Sequence, residues 1–326
     1  MSLKKRALGL FSGGLDSMLA AAVLREQGLE VTGAVFITPF FGAERARESA
    51  AHLHIPLIEQ DITETYYPLL VEPPHGFGSR HNPCIDCHIL MLRGAGALME
   101  ARGFDFLFPG EVLGQRPMSQ HRGALNLVAR ESGYPELVLR PLSAKLLAPT
   151  RPELEGWVDR ERLLDISGRG RKRQMELAAR LGITKYPSPA GGCLLTDPGY
   201  ATRLKELLTR ISKPSRRELE LLKWGRHFRL PGGAKVVVGR THKENEAMSS
   251  LLGGDLVLRV QGYPGPLVLV SRDADIQGVE EAALLAAAYS DAPEGSEVAV
   301  SSQLGREIQM VKVMAVPKSR FKEWLI

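Results

Sequence analysis

Short apolar runs alternate with stretches of helical spacing through the first half of the chain. Ala7-Leu8-Gly9-Leu10-Phe11 is an unbroken apolar run that stops at the breaker Ser12-Gly13-Gly14, and Met18 to Leu24 is rich in alanine and leucine. A strand, a tight loop and a helix are expected there. The rhythm repeats: Val31 to Ile37 reads as a strand, Ala43 to Leu53 as a helix and Pro56-Leu57-Ile58 as a strand. Val71 to Pro83 turns to Pro, His, Gly and Ser, which predicts an exposed loop, and a helix follows from Ile85 to Arg102. Phe104 to Phe108 and Leu137 to Leu139 read as further strands, Ala148 to Leu164 and Arg171 to Leu181 as helices. Strands alternating with helices predict an α/β fold built on a doubly wound parallel sheet.

The rhythm changes after Tyr186 to Cys193, a loop of Pro, Ser, Ala and Gly. Ala201 to Lys223 has helical spacing with a break at Pro214, and short β-rich segments follow at Lys235 to Val238, Leu256 to Val260, Leu267 to Val270, Glu297 to Ser301 and Ile308 to Val313. One alanine-rich helix is expected around Val279 to Tyr289. These segments predict a second, smaller α+β domain, dividing the chain into residues 1–200 and 201–326. A length of 326 residues suits two domains of about 100–200 residues each.

Composition removes some classes. At 44% hydrophobic and 24% charged residues the chain is too apolar for a disordered protein. No apolar stretch approaches the roughly 20 residues of a membrane helix, and Lys4-Lys5-Arg6 run straight into a strand with no signal-peptide core. A cytoplasmic protein with no membrane partner is expected. The net charge of +5 is concentrated locally: Arg169, Arg171, Lys172 and Arg173 stand together, as do Lys213, Arg216, Arg217, Lys223, Arg226 and Arg229. Such patches suit a phosphate backbone.

Ser12-Gly13-Gly14-Leu15-Asp16-Ser17 carries the most specific chemistry. Paired glycines at a strand-to-helix turn let backbone N–H groups approach an anion, and the helix start adds its partial positive charge. The serine hydroxyls of Ser12 and Ser17 are further donors. Asp16 is negative and makes sense beside phosphates as a ligand of the Mg²⁺ that neutralises them. No GxxxxGK[ST] run occurs, which argues against a Walker-type kinase or motor. The segment resembles the SGGxDS loop of the PP-loop ATP pyrophosphatases, of the adenine nucleotide alpha hydrolase-like fold, which cleave ATP between its α- and β-phosphates. The resemblance implies that Ser12, Gly13, Gly14, Asp16 and Ser17 bind ATP and Mg²⁺.

A second block, Gly110-Glu111-Val112-Leu113-Gly114-Gln115 followed by Ser119-Gln120, resembles the GExLGQxxSQ segment of the tRNA 4-thiouridine synthetases, where it belongs to the nucleotide site. Gly110, Glu111 and Gln115 are thereby implied in ATP binding. The pattern is longer here by one residue, because Arg116, Pro117 and Met118 precede Ser119. Leu139-Arg140-Pro141-Leu142 resembles the RPL segment of the same enzymes.

Cys84-Ile85-Asp86-Cys87-His88 and the distant Cys193 hold all three cysteines of the chain. Three thiolates suit a [4Fe–4S] cluster with one iron free of protein ligands, as in the three-cysteine tRNA thiolases that this arrangement resembles. The same residues also suit a persulfide route, with Cys193 carrying sulfur and Cys84 or Cys87 as its disulfide partner. A third arrangement is structural zinc on the three thiolates with His81 or His88.

The 4-thiouridine synthetases usually carry an N-terminal RNA-binding region; here the phosphate loop begins at Ser12, and another part is expected to hold RNA. Lys235 to Glu246, with Val238-Gly239-Arg240 and Asn245, resembles the NFACT-type RNA-binding module. Arg240, Lys243 and Asn245 are thereby implied as RNA contacts, with Arg169, Arg171, Lys172 and Arg173 as a second group. The resemblances together imply a tRNA sulfurtransferase that adenylates a uracil carbonyl oxygen with ATP and lets sulfur, from sulfide or a persulfide, displace AMP. A PP-loop enzyme acting on a small molecule, or a nucleotide-regulated RNA-binding protein without catalysis, are the other two readings of the same motifs.

Overall fold

The computed structural model describes residues 4–188 and 193–326. The chain divides into two compact units, Met1–Asp197 and Pro198–Ile326.

In the first unit the elements run β1 (Arg6–Leu10), α1 (Leu15–Glu26), β2 (Glu30–Ile37), α2 (Glu44–Leu53), β3 (Leu57–Asp61), α3 (Thr63–Val71), α4 (Cys84–Arg102), β4 (Phe106–Pro109), α5 (Arg122–Ser132), α6 (Arg151–Leu154) and α7 (Lys172–Arg180). Among the described residues the sheet has four strands in the order β3-β2-β1-β4, every pair parallel. The chain steps one way from β1 to β3 and then crosses back to place β4 on the other side of β1. Such a reversal opens a crevice at the strands' carboxyl ends, where ligands of open α/β sheets bind. The phosphate loop after β1 and the Gly110 segment after β4 both emerge at that crevice. Helix α1 is buried almost throughout because Met18, Leu19, Ala20, Ala21 and Leu24 pack into the core with Phe106, Phe108, Leu139 and Leu142.

Three expectations are corrected here. Ala148 to Leu164 is not one helix: only Arg151–Leu154 is α-helical, flanked by short 3-10 turns at Ala144–Leu146 and Arg160–Arg162. Pro149 and Pro152 permit at most a helix start, which Thr150 and Glu153 complete as a reciprocal cap, and Gly156 at φ 68° ends it. Leu137 to Leu139 forms a single parallel bridge, Val138 to Leu107, because Pro141 follows and has no N–H to extend a ladder. The Val71 to Pro83 segment is less exposed than its composition predicts: it follows a helix, α3, that the sequence pattern hid behind Pro68, and His81 and Asn82 are buried.

The second unit begins with α8 (Pro198–Leu208) and α9 (Arg216–Leu221), then β5 (Arg226–Arg229), β6 (Lys235–Val238), α10 (His242–Ser249), β7 (Leu256–Val260), β8 (Val268–Val270), α11 (Ile276–Ala288), β9 (Glu297–Leu304) and β10 (Glu307–Met314). Its strands form one antiparallel sheet in the order β10-β9-β7-β8-β6-β5. The alanine face of α11 packs on the sheet with Val236, Val268, Val298 and Val300. Strand β5 is an addition to the expected set. Among the described residues no helix is long and apolar enough to cross a membrane.

Candidate functional site

Helix α1 starts without a side-chain cap: Gly14, its first flanking residue, is extended, and the first-turn N–H groups are left for an outside acceptor. Gly13 stands at φ 73°, and a Cβ there would lie 2.3 Å from the Arg45 carbonyl oxygen, so glycine is required. The Ser17 hydroxyl donates to the Gly14 carbonyl at 2.8 Å, and the Gly14 N–H donates to Ser12 Oγ at 3.4 Å. Asp16 Oδ2 accepts from Gln115 Nε2 at 2.9 Å, whereas its Oδ1 is buried with no hydrogen-bond partner. A buried carboxylate oxygen left without a donor fits a cation, and Mg²⁺ with its oxygen preference suits it.

Gly110 holds the two loops together. A Cβ at this position would meet Ser17 N at 2.5 Å and Ser17 Cα at 2.6 Å. Gly110→Ala is therefore expected to push the β4 loop off the start of α1 and to destabilise the protein by about 1–3 kcal/mol. Chemical denaturation together with an ATP titration checks this, and unaltered ATP affinity would remove the tight packing of these loops as a requirement for binding.

Glu111 is buried, and both its oxygens are engaged: Arg140 Nε donates to Oε2 at 2.8 Å and His88 Nδ1 lies 2.7 Å from Oε1. Burial opposes its charge, but the Arg140 guanidinium and His88 overcome this and hold the carboxyl down to about 2. Arg140 Nη2 also donates to the Leu125 carbonyl. Glu111 thus ties the cysteine helix α4 to the RPL segment through both its oxygens. By sequence His88 stood only as a zinc ligand and Arg140 only as part of the RPL segment; that both pair with Glu111 was not foreseen.

Cys84 and Cys87 occupy the first turn of α4, three residues apart and so on one face. Cys84 Sγ accepts from Asn82 Nδ2 at 3.0 Å, and the Ser119 side chain lies beside it and favours its thiolate. Cys193 starts the chain after residues 189–192, which lie outside the described residues, and it falls in the same electrostatic neighbourhood as Cys84 and Cys87. Tyr66 of α3, 1% exposed, sets its hydroxyl beside Cys87 and within the field of all three thiols. Burial pushes the Cys193 thiol up to about 11 and raises Cys84 and Cys87 as well; the Arg116 guanidinium works against burial at Cys84 and Cys193.

Three thiols in one neighbourhood fit an iron–sulfur cluster in donor type and number. As placed they are not a finished ligand set: among the described residues no three His, Cys, Asp or Glu side chains could hold a metal ion. For zinc, one nitrogen of each imidazole is engaged, His81 Nε2 with the Leu70 carbonyl and His88 Nδ1 with Glu111, the kind of support that orients a histidine to ligate through its other nitrogen.

The basic segment before α7 is placed beside the Gly110 loop by a bridge from Leu113 to Ser167 and by the Gly168 N–H donating to the Leu113 carbonyl at 2.8 Å. Arg173 pairs with Asp165, and Lys172 lies 3.9 Å from Glu176. Arg169 is exposed and Arg171 half-buried, and neither has an acidic partner among the described residues. In the second unit Arg240 pairs with Glu244, and the Leu267 N–H donates to Asn245 Oδ1 at 3.2 Å. Asn245 thereby fixes the turn between β6 and α10 close against Gly239. Lys243 is exposed on α10.

Comparison with known proteins follows this division of the chain. Residues 2–145 match the family described as thiamine biosynthesis protein (ThiI), and residues 225–325 match the NFACT protein RNA binding domain. Over 146 residues the chain is 30% identical to the tRNA-specific 2-thiouridylase MnmA of Thermus thermophilus, which is 36% of this chain and 39% of that one. The same enzyme of Caldicellulosiruptor saccharolyticus is 25% identical over 226 residues, 61% of this chain and 58% of the relative. The chain thus spans less than two-thirds of the length of these relatives. A crystal structure of a 4-thiouridine synthetase in complex with RNA and ATP is similar at a TM-score of 0.38 and 21% identity, covering 66% of this chain and 52% of that one. The two resemblances read from the motifs therefore hold at the level of domains: residues 2–145 carry a ThiI-family PP-loop domain and residues 225–325 an NFACT-type RNA-binding domain.

Proposed function

We propose that the protein is an ATP-dependent tRNA sulfurtransferase. The observation that carries this reading is the short link between two chemistries in one unit: Gln115 bonds Asp16 of the phosphate loop, and Ser119, four residues on, lies beside Cys84. An activated oxygen at the α-phosphate and a sulfur delivered by the thiols would meet across that loop.

ATP would lie with its phosphates on the N–H groups of Gly14 to Ser17 and its Mg²⁺ on Asp16. The uracil carbonyl oxygen attacks the α-phosphorus and pyrophosphate leaves; sulfur then adds to the same carbon and AMP departs with the oxygen. A carbonyl oxygen is a poor leaving group and AMP a good one, which is why adenylation comes first. The protein's part is positioning and neutralising charge on the phosphates. Gln115 holds the Asp16 carboxylate, while Glu111 anchors its loop to α4 through His88 and to the RPL segment through Arg140. Arg169, Arg171 and Lys243 are the exposed or half-exposed cations we assign to the tRNA backbone, with Lys172 and Arg173 nearby and Arg240 and Asn245 shaping the turn that presents Lys243.

Cys84, Cys87 and Cys193 would hold a [4Fe–4S] cluster, which when bound supplies an iron free to carry exogenous sulfur. The persulfide route uses the same three residues and is the alternative outcome of the test. Anaerobically purified protein is expected to contain iron and acid-labile sulfide that Cys193→Ala loses; no iron after reconstitution moves the sulfur to Cys193 itself. In either case Cys193→Ala is expected to abolish thiouridine formation while pyrophosphate release from ATP persists.

The function is tested by incubating the full chain with Mg-ATP, sulfide and tRNA and measuring pyrophosphate together with thiolated nucleosides after digestion. Matched yields of the two support the reading. Pyrophosphate released without any tRNA product would turn it towards a small-molecule acceptor, and tRNA binding without pyrophosphate release towards an RNA-binding protein.

A further inference from the structure

Helix α2 tethers the phosphate loop from outside. The Ser49 hydroxyl donates to the Gly13 carbonyl at 2.8 Å across 36 residues of chain. Ser49 is 6% exposed and stands on the buried face of α2 with Ala46, Ala50 and Leu53. A buried helix serine can satisfy its hydroxyl on the carbonyl four residues back in its own helix; this one bonds the loop instead. The first turn of α2 closes on the same residue, since a Cβ at Gly13 would lie 2.3 Å from the Arg45 carbonyl oxygen and 2.7 Å from the Ala46 nitrogen.

The peptide joining Gly13 to Gly14 needs such a tether. Neither residue has a Cβ, so the plane between them can turn over at little steric cost. A trans peptide is planar, with its C=O and N–H pointing opposite ways. Whatever holds the Gly13 carbonyl therefore sets the direction of the Gly14 N–H. That N–H points to the Ser12 hydroxyl at 3.4 Å, a bond long enough to be given up to a stronger acceptor. Turned over, the same peptide would present a carbonyl oxygen to a phosphate where a donor is wanted. The next carbonyl, of Gly14, is held by the Ser17 hydroxyl at 2.8 Å and by the Met18 N–H at 3.1 Å. Ser49 does for the Gly13 carbonyl what the start of α1 does for that of Gly14.

We propose that Ser49 is a positioning residue of the phosphate loop: its hydroxyl holds the Gly13–Gly14 peptide with the Gly14 N–H turned toward the phosphates of ATP. This rests on the reading that the loop receives those phosphates, and it does not depend on what the nucleotide later activates. Without the hydroxyl the loop divides its time between two peptide orientations, and its affinity for phosphate falls by the fraction of time spent in the wrong one.

The test measures binding of Mg-ATP and of Mg-pyrophosphate to the full chain by titration calorimetry, with thermal unfolding of each variant. Ser49→Ala is expected to raise both dissociation constants roughly tenfold, the effect of one hydrogen bond lost at a buried carbonyl. Ser49→Thr, which keeps the donor, is expected to restore most of the affinity. Ser132→Ala is the control: Ser132 is likewise buried in a helix and donates to the Ala129 carbonyl at 2.7 Å, with no bond to the loop. That variant is expected to unfold at a lower temperature and to leave both constants unchanged. If the added methyl group unfolds Ser49→Thr, the two alanine variants decide between themselves. Unchanged constants in Ser49→Ala overturn the proposal and make Ser49 a packing contact. An equal loss of affinity in Ser132→Ala overturns it too, because the loss then traces to stability. A tenfold loss in a protein that makes no thiouridine keeps the role of Ser49 and discards the thiolation reading. A wild-type chain that binds neither ligand removes the nucleotide reading of the loop, and the role of Ser49 with it.

Discussion

Asp16→Asn is expected to cut ATP-dependent pyrophosphate release by roughly a hundredfold to a thousandfold, the range seen when a single group that stabilises developing charge is removed. Asparagine keeps the size of the side chain and an oxygen that can accept from Gln115, so the loop keeps its shape. What is lost is the negative charge behind Oδ1, the buried oxygen with no protein partner. Without it an Mg²⁺ that neutralises the triphosphate would have no anionic ligand in the loop. Steady-state pyrophosphate release at saturating Mg-ATP measures this, alongside thermal unfolding as a check on folding. Unchanged turnover in a folded Asp16→Asn protein would end the assignment of the loop to catalysis.

The second large effect is on stability. Glu111→Ala leaves the Arg140 guanidinium, 5% exposed, without its carboxylate, and breaking a buried pair in this way costs about 3–5 kcal/mol. Replacing both partners, as in Glu111→Ala with Arg140→Met, removes the unpaired charge and should cost less than the sum of the two single changes. Urea denaturation of the three variants reads the difference; additive losses would mean that the pair is not coupled.

The same pair sets an acid limit. Burial opposes the Glu111 charge, yet Arg140 and His88 hold its pKa down to about 2, below its ordinary 4.5. A carboxyl whose folded pKa is depressed contributes fully above its unfolded value and loses that contribution as pH falls through the folded one. Stability is therefore expected to decline from about pH 4.5 towards pH 2, and Glu111→Ala should flatten that part of the profile.

Local sequence determined the elements whose signals are short-range. The run from Ala7 to Phe11 followed by Ser12-Gly13-Gly14 can be little else than a strand entering a phosphate-sized turn, because only glycine tolerates the φ of 73° and the approach of the Arg45 carbonyl. Cys84 and Cys87 at a helix start were legible for the same reason: a proline before them and helical spacing after them fix the boundary. Helix α3 was not legible, since Pro68 lies inside it and propensity alone argues against a helix there; Tyr66, Tyr67 and Leu70 hold it by packing.

Tertiary structure alone decided which distant residues share a neighbourhood. His88, Glu111 and Arg140 come from three segments, and no spacing rule announces that one carboxylate will bind both of the others. Their pairing depends on the parallel order β3-β2-β1-β4, which sets the loop after β4 across the start of α1. Burial then selects among the charges: Glu111 is enclosed and paired with Arg140 and His88. The sequence by itself named the chemistry through residue type and local conformation; the fold assigned each charged group its partner, because desolvation and distance are properties of the packed chain.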